Sequence, residues 1–117
     1  MKINIKVEEL THDDIVNILS TALYGSPYLV VDNTVKEYEE ATGDTIEDRL
    51  ADMLLKGQKV VLIDAEEDKK HNLTLSKLKK GWGQYIAKGG STDIEDYDLL
   101  DADAIIQYSI FGDVIYG

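Results

Sequence analysis

KVVLIDAEEDKKHNLTL, from Lys59 to Leu75, decides the fold. Val60 to Ile63 form an unbroken apolar run rich in β-branched residues, as in a buried strand. AEEDKKHN is a polar turn, and Leu73-Thr74-Leu75 resumes the apolar pattern, so the stretch predicts two strands closed as a hairpin. A hairpin requires antiparallel pairing, which fixes the kind of sheet. On the C-terminal side, Thr74 can cap a helix over Ser76–Ala87, with Leu75, Leu78, Trp82, Tyr85 and Ile86 on its apolar face and Gly89-Gly90 as its stop. Gly81 and Gly83 flank the single Trp of the chain. They weaken this helix intrinsically but allow close packing beside the indole.

On the N-terminal side, Thr45 or Asp44 can cap a helix through Ile46, Leu50, Met53 and Leu54, which closes at Gly57 and turns Glu47, Asp48 and Asp52 outward. Tyr28-Leu29-Val30-Val31 predicts a short strand, ended by Asp32-Asn33. Residues 35 to 42 fit no template. Thr11-His12-Asp13-Asp14 opens another helix, with Ile15, Ile18, Leu19, Ala22 and Leu23 at helical spacing and Gly25 before Ser26-Pro27 as the end. KINIKV, residues 2–7, alternates in period two as a half-buried strand does. The last helix runs from Asp98 to Phe111 through Ala102, Ile105, Ile106, Ser109 and Ile110, and Gly112 ends it before a closing strand at Val114-Ile115-Tyr116.

The expectation is one acidic α+β domain over residues 1–117, ordered β-α-β-α-β-β-α-α-β, with about four helices packed on a small, mainly antiparallel sheet. Its core should be Ile15, Ile18, Leu19, Leu23, Leu50, Leu54, Val61, Ile63, Leu78, Trp82, Ile105, Ile106 and Ile110. At 117 residues such a core needs no staple, and with no cysteine disulfides and thiolate sites are excluded. Residues 1–20 hold neither a signal-peptide core nor a membrane-length apolar run, which predicts a cytoplasmic protein.

The charge narrows the partners. With 23 acidic and 12 basic residues the net charge is −11, a field that repels nucleic acid and anionic membranes and attracts proteins built to hold nucleic acid. That field serves solubility as well. The charge is also uneven. Six of the twelve basic residues lie between Lys69 and Lys88, and the next fifteen positions carry six acids and no base.

Those six, in DIEDYDLLDADA (93–104), admit several readings. Calcium would want converging carboxylates, but no aspartate starts a loop with Gly at position 6 and Glu at position 12. Carboxylate-pair catalysis needs a shared concave site that splits two pKa values. His12 in a first helical turn and His71 in the hairpin turn both read as solvated, and no nucleophile elbow or phosphate loop is present. Asn72-Leu73-Thr74 matches a glycosylation acceptor that a chain without a secretory signal leaves idle. Neither metal, cofactor nor enzymatic activity is expected. Acids at helical spacing can approximate a phosphate row, which makes two candidate faces: Glu47, Asp48 and Asp52, and Asp93, Glu95, Asp96, Asp98, Asp101 and Asp103. Asp101 and Asp103 also support the last helix, whereas Asp93 to Asp98 precede it.

Three blocks carry a resemblance: HDDIVNILSTALYGSPYLV (12–30), LADMLLKGQKVVLIDAEEDKKHNLTLSKLKKGWGQYI (50–86) and DADAIIQYSIFGDVIYG (101–117). Together they resemble a family of small acidic proteins from phages, prophages and other mobile elements of Gram-positive gut bacteria. The resemblance implies an inhibitor of host defence, as with anti-CRISPR proteins that occupy the nucleic-acid surfaces of a type II effector nuclease, acting in the host cytoplasm. It brings no catalytic signature. Two other readings stand beside it: a regulatory interaction module that uses an apolar patch around Tyr24, Tyr28, Trp82 or Tyr116, with homodimerisation open to it, and a protein that sequesters a small ligand in a deep pocket.

Overall fold

The computed structural model describes residues 10–25 and 29–116. In chain order these form α1 (His12–Gly25), β1 (Leu29–Val31), α2 (Lys36–Glu40), α3 (Ile46–Leu55), β2 (Val60–Asp64), β3 (Lys69–Leu73), α4 (Leu75–Ala87), a single 3₁₀ turn (Ile94–Asp96) and α5 (Leu99–Phe111). The class is α+β, as the hairpin implied, with five helices because the ambiguous segment supplies the short α2. The expected strand at residues 2–7 and the start of the strand at Tyr28 lie outside the described residues.

The sheet has the order β1-β2-β3 and is antiparallel throughout. β2 is the central strand, and its apolar run follows from that position: Val60, Val61 and Leu62 are buried, and strands cover both of its edges. The hairpin itself differs from expectation. Its second strand is Lys69–Leu73, not Leu73–Leu75. The turn shrinks to residues 65–68 because the Asp64 carboxylate accepts the backbone N–H groups of Glu66 (2.9 Å) and Glu67 (3.4 Å) and closes the chain locally. Lys69 and Lys70 can then extend as an edge strand with exposed side chains that pair with Glu67 and Asp32, both at 3.3 Å, a pattern that sequence alternation alone reads as loop. Thr74 is thereby released to cap α4, accepting a hydrogen bond from Lys77 N–H.

α5 lies at the centre of the helical layer and packs against α4, α1 and β3. This explains why IIQYSIF is apolar nearly all round: Ala102, Ile105, Ile106, Gln107 and Ser109 are all buried. α1 adds Ile15, Ile18, Leu19 and Ala22, α3 adds Leu50, Ala51, Met53 and Leu54, and α4 adds Leu78 and Trp82. Each fully buried Leu or Ile contributes roughly 1.5–3 kcal/mol over an exposed one. Three expected core residues, Leu23, Ile63 and Ile110, are only half-buried. For Ile63 the register gives the reason, since it pairs with exposed Val30 on one side and Lys70 on the other, in a row alternate to Leu62.

No closing strand forms after α5. Gly112 takes a left-handed φ of 79° as the C-cap, and the chain folds back over its own helix. The carbonyl of the Gln107 side chain accepts the N–H groups of Ile115 and Tyr116, both at 2.8 Å, while its amide donates to Asp103 (2.7 Å) and to the Tyr116 carbonyl (3.1 Å). A buried glutamine thus replaces the strand ladder. At the tip of this strap, the Tyr116 hydroxyl donates to Asp64 at 2.8 Å.

Candidate functional site

The acidic segment DIEDYD (93–98) is held by its two apolar members. Ile94 and Tyr97 are each 9% exposed and turn into the core, which forces Asp93, Glu95 and Asp96 outward. The Trp82 indole N–H donates to the Tyr97 hydroxyl (2.9 Å), which itself donates to the Ser91 carbonyl (2.5 Å). Tyr85 meets Tyr97 edge to face, with ring centroids 5.7 Å apart, and donates its hydroxyl to Asp101. The acids therefore stand on a rigid base of three aromatic side chains from α4 and the 3₁₀ turn.

The nine acids singled out by sequence separate by occupation. Asp98 and Asp101 form a capping box at the start of α5, each carboxylate accepting the other's backbone N–H at 3.0 Å. Asp103 accepts from Gln107, and Asp52 accepts from Thr42 N–H (3.0 Å) and from Lys56 Nζ (2.9 Å). These four carboxylates serve the fold. Asp48 lies at α3's first turn, 3.9 Å from His12 Nε2, and Glu47 lines a groove beside β1. Among the described residues, Asp93, Glu95 and Asp96 have no Lys, Arg or His within ion-pair distance. Nor do they form a helical phosphate row. The capping box starts α5 only at Leu99, so the three acids sit on one 3₁₀ turn with different spacing.

The carboxyl groups respond to these settings. Asp96 is pushed above the ordinary carboxylate range by a hydrogen bond and charge repulsion from Asp93. Asp101 is held low by the Tyr85 hydroxyl and then by the Asp98 N–H, and the same contact drives the Tyr85 phenol up to about 12, with burial as the larger cause. Burial works to raise the Asp64 carboxyl, yet the hydrogen bonds from Tyr116, Glu66 and Glu67 bring it below its usual value. Asp93 and Asp96 are both exposed, so water and salt screen the repulsion between them.

A third acidic group, seen in the sequence only as helix-start residues, joins the two that were singled out. Thr11 and Asp14 cap α1 reciprocally at 3.0 and 3.1 Å, and both line a cleft of about 310 Å³ with Trp82, Thr92, Asp93, Ile94 and Glu95. Asp13 is 98% exposed, and His12 bridges from it (3.9 Å) to Asp48 on α3. The start of α1 thus lies between the acids of α3 and those of the 3₁₀ turn. Contacts between distant segments create this continuity, and one-dimensional spacing carries no sign of it.

Histidine and aromatic placements differ from expectation. His71 lies within β3 opposite Leu62, packed edge to face on Phe111 with centroids 4.9 Å apart, and its buried Nε2 has no hydrogen-bond partner among the described residues. It is a half-buried strand residue because the turn ends before it. Trp82 is 7% exposed and belongs to the core, and Tyr116 is tied to Asp64, so of the four aromatics proposed as a patch Tyr24, at 86%, is the exposed one among the described residues. Among the described residues, no three His, Asp or Glu side chains converge to hold a metal ion, and no helix is long and apolar enough to cross a membrane. No protein-family model, curated protein or solved structure matches the chain.

Proposed function

We propose that the protein is a non-enzymatic inhibitor that covers the basic nucleic-acid-binding surface of a host protein with its acidic face. The observation that carries this reading is the outward display of Asp93, Glu95 and Asp96 on a pinned aromatic base, with no basic partner among the described residues. Like charges held together cost free energy in the isolated protein, and a cationic partner relieves that cost on binding. Asp13, Asp14 and Glu47 extend the same face. Leu99 (41% exposed) and Leu100 (75% exposed) stand beside it and would give a salt-independent contact of the kind found in interface centres. The resemblance to mobile-element proteins makes a type II CRISPR effector nuclease, in the host cytoplasm, the first partner to test.

The test is inhibition of DNA cleavage by such a nuclease, with binding measured at about 0.05 and 0.3 M salt. The combined Asp93→Asn, Glu95→Gln, Asp96→Asn variant should bind roughly tenfold more weakly and lose part of the salt dependence. A control with Glu66 and Glu67 changed to Gln and Asp68 to Asn, all exposed in the β2–β3 turn, alters net charge equally and should retain most of the affinity. Equal affinity for the first variant and the parent, with both folded, sinks the assignment of this face. The two clefts described above argue less for ligand sequestration, because among the described residues neither encloses a molecule as small-ligand sites do.

A further inference from the structure

The end of α1, strand β1, α2 and the start of α3 enclose an apolar groove of about 370 Å³, lined chiefly by Leu23, Tyr24, Val30, Tyr38 and Ile46, with Glu47 on its wall. Tyr24, Val30 and Ile46 are 86%, 55% and 50% exposed, an apolar group open to water. The groove's surroundings are acidic. Among the described residues no Lys or Arg lines it, Glu37 and Glu39 flank Tyr38, and the nearby Arg49 is spent on the Tyr38 and Gly43 carbonyls (both 3.3 Å) with its guanidinium over the Tyr38 ring. Lys36 pairs with Glu40 at 3.5 Å.

We infer that this groove receives an aliphatic or aromatic side chain carried on a basic segment of the partner protein, an inference that rests on the acidic-face reading above. Two observations select that occupant. Glu47 belongs to the groove and to the acidic face that continues through Asp48, His12 and Asp13, so one partner can meet both. The volume is at the low end for small-molecule sites, and exposed walls would leave a free ligand half solvated, whereas a side chain anchored by the rest of an interface needs no enclosure. The acidic rim then matches the Lys and Arg flanking the anchor.

The probes are two short lysine-rich peptides, identical except for a central Trp or Ala, titrated into the full chain and followed by NMR of backbone amides and methyl groups. Both should move the amides of residues 93–96. The Trp peptide alone should move the Val30 and Ile46 methyls, bind about tenfold more tightly at 0.3 M salt, and lose that advantage in Ile46→Ser or Val30→Thr. The two variants sit at a helix start and on a strand, where each new residue is tolerated, so a folded sample is expected of at least one. Movement at 93–96 without movement in the groove overturns this inference and leaves the acidic-face reading intact. Movement at neither overturns both. Contacts in the free protein between the groove methyls and Ile3, Ile5 or Val7 also overturn it, since the chain itself would then fill the groove.

Discussion

Gly81 and Gly83 lie on one helix, beside the same Trp, and meet opposite surroundings. A Cβ on Gly81 would come within 2.1 Å of Ser109 Oγ and within 2.8 Å of two backbone atoms of α5, and Ser109 Oγ is itself fixed on the Ile105 carbonyl at 2.7 Å. A Cβ on Gly83 would meet nothing within 4 Å. Overpacking costs about 1–3 kcal/mol and the gain in helix propensity returns about 1, so Gly81→Ala should lose up to about 2 kcal/mol against rigid backbone. Gly83→Ala should gain up to about 1 kcal/mol. Urea midpoints of the two variants check both signs, and a stabilised Gly81→Ala would show that α4 and α5 are not in close approach. Sequence could suggest that glycines beside Trp82 allow contact, but which of the two does so depends on where α5 crosses. Gln107 is the same lesson in reverse. A single Gln inside IIQYSIF has no visible role until the strap it satisfies is seen folded over it.

Among elements, the start of α5 and the turn before it carry adjacent acids with opposite energetics. Asp98 satisfies an N–H that the helix leaves orphaned, and Asp98→Ala should cost about 1 kcal/mol at neutral pH. Asp96 is held above its ordinary range by Asp93, so its charged form is disfavoured in the fold. A group raised in this way stabilises the folded protein below its unfolded value and loses that contribution as pH rises through its folded value. Asp96→Asn should therefore raise the urea midpoint at pH 7 relative to the parent, with the difference vanishing near pH 3. A loss of stability at pH 7 instead would mean that Asp96 makes a structural contact. The sequence revealed the four longer helices and the hairpin, but not the short α2, because period and caps are local: Thr45, Thr74 and Asp98 each act as the N-cap of the helix that follows. It misplaced β3 because the turn is closed by a side chain, Asp64, that sits in the preceding strand. It also expected a terminal strand where a buried side chain supplies the hydrogen bonds. The acidic stretch was legible as acidic, but its division into capping acids and displayed acids follows from Tyr85, Tyr97 and Trp82 beneath it.

At the scale of the whole molecule, stability should be limited by two sets of groups at the two ends of the pH range. Asp32, Asp52, Asp64 and Asp101 are all held below the ordinary carboxylate value, chiefly by hydrogen bonds from Thr34, Thr42, Tyr116 and Tyr85, with burial the opposing effect and at Asp64 the largest single one. For groups lowered on folding, the stabilisation is complete above the unfolded value of about 4 and is lost as pH falls through the folded values. Tyr85 and Tyr116 are raised to about 12, so their contribution is complete below the unfolded value of about 10 and is lost between there and about 12. The same contacts set both limits, because Tyr85 donates to Asp101 and Tyr116 donates to Asp64. Tyr116→Phe removes one pair and should erode both ends together: the urea midpoint drops across the plateau, and the falls below pH 4 and above pH 10 both become shallower than in the parent. Tyr24→Phe, at an exposed position, should leave the profile unchanged. A Tyr116→Phe profile parallel to the parent's would separate Asp64 from the strap and leave the acid limb to the other three carboxylates.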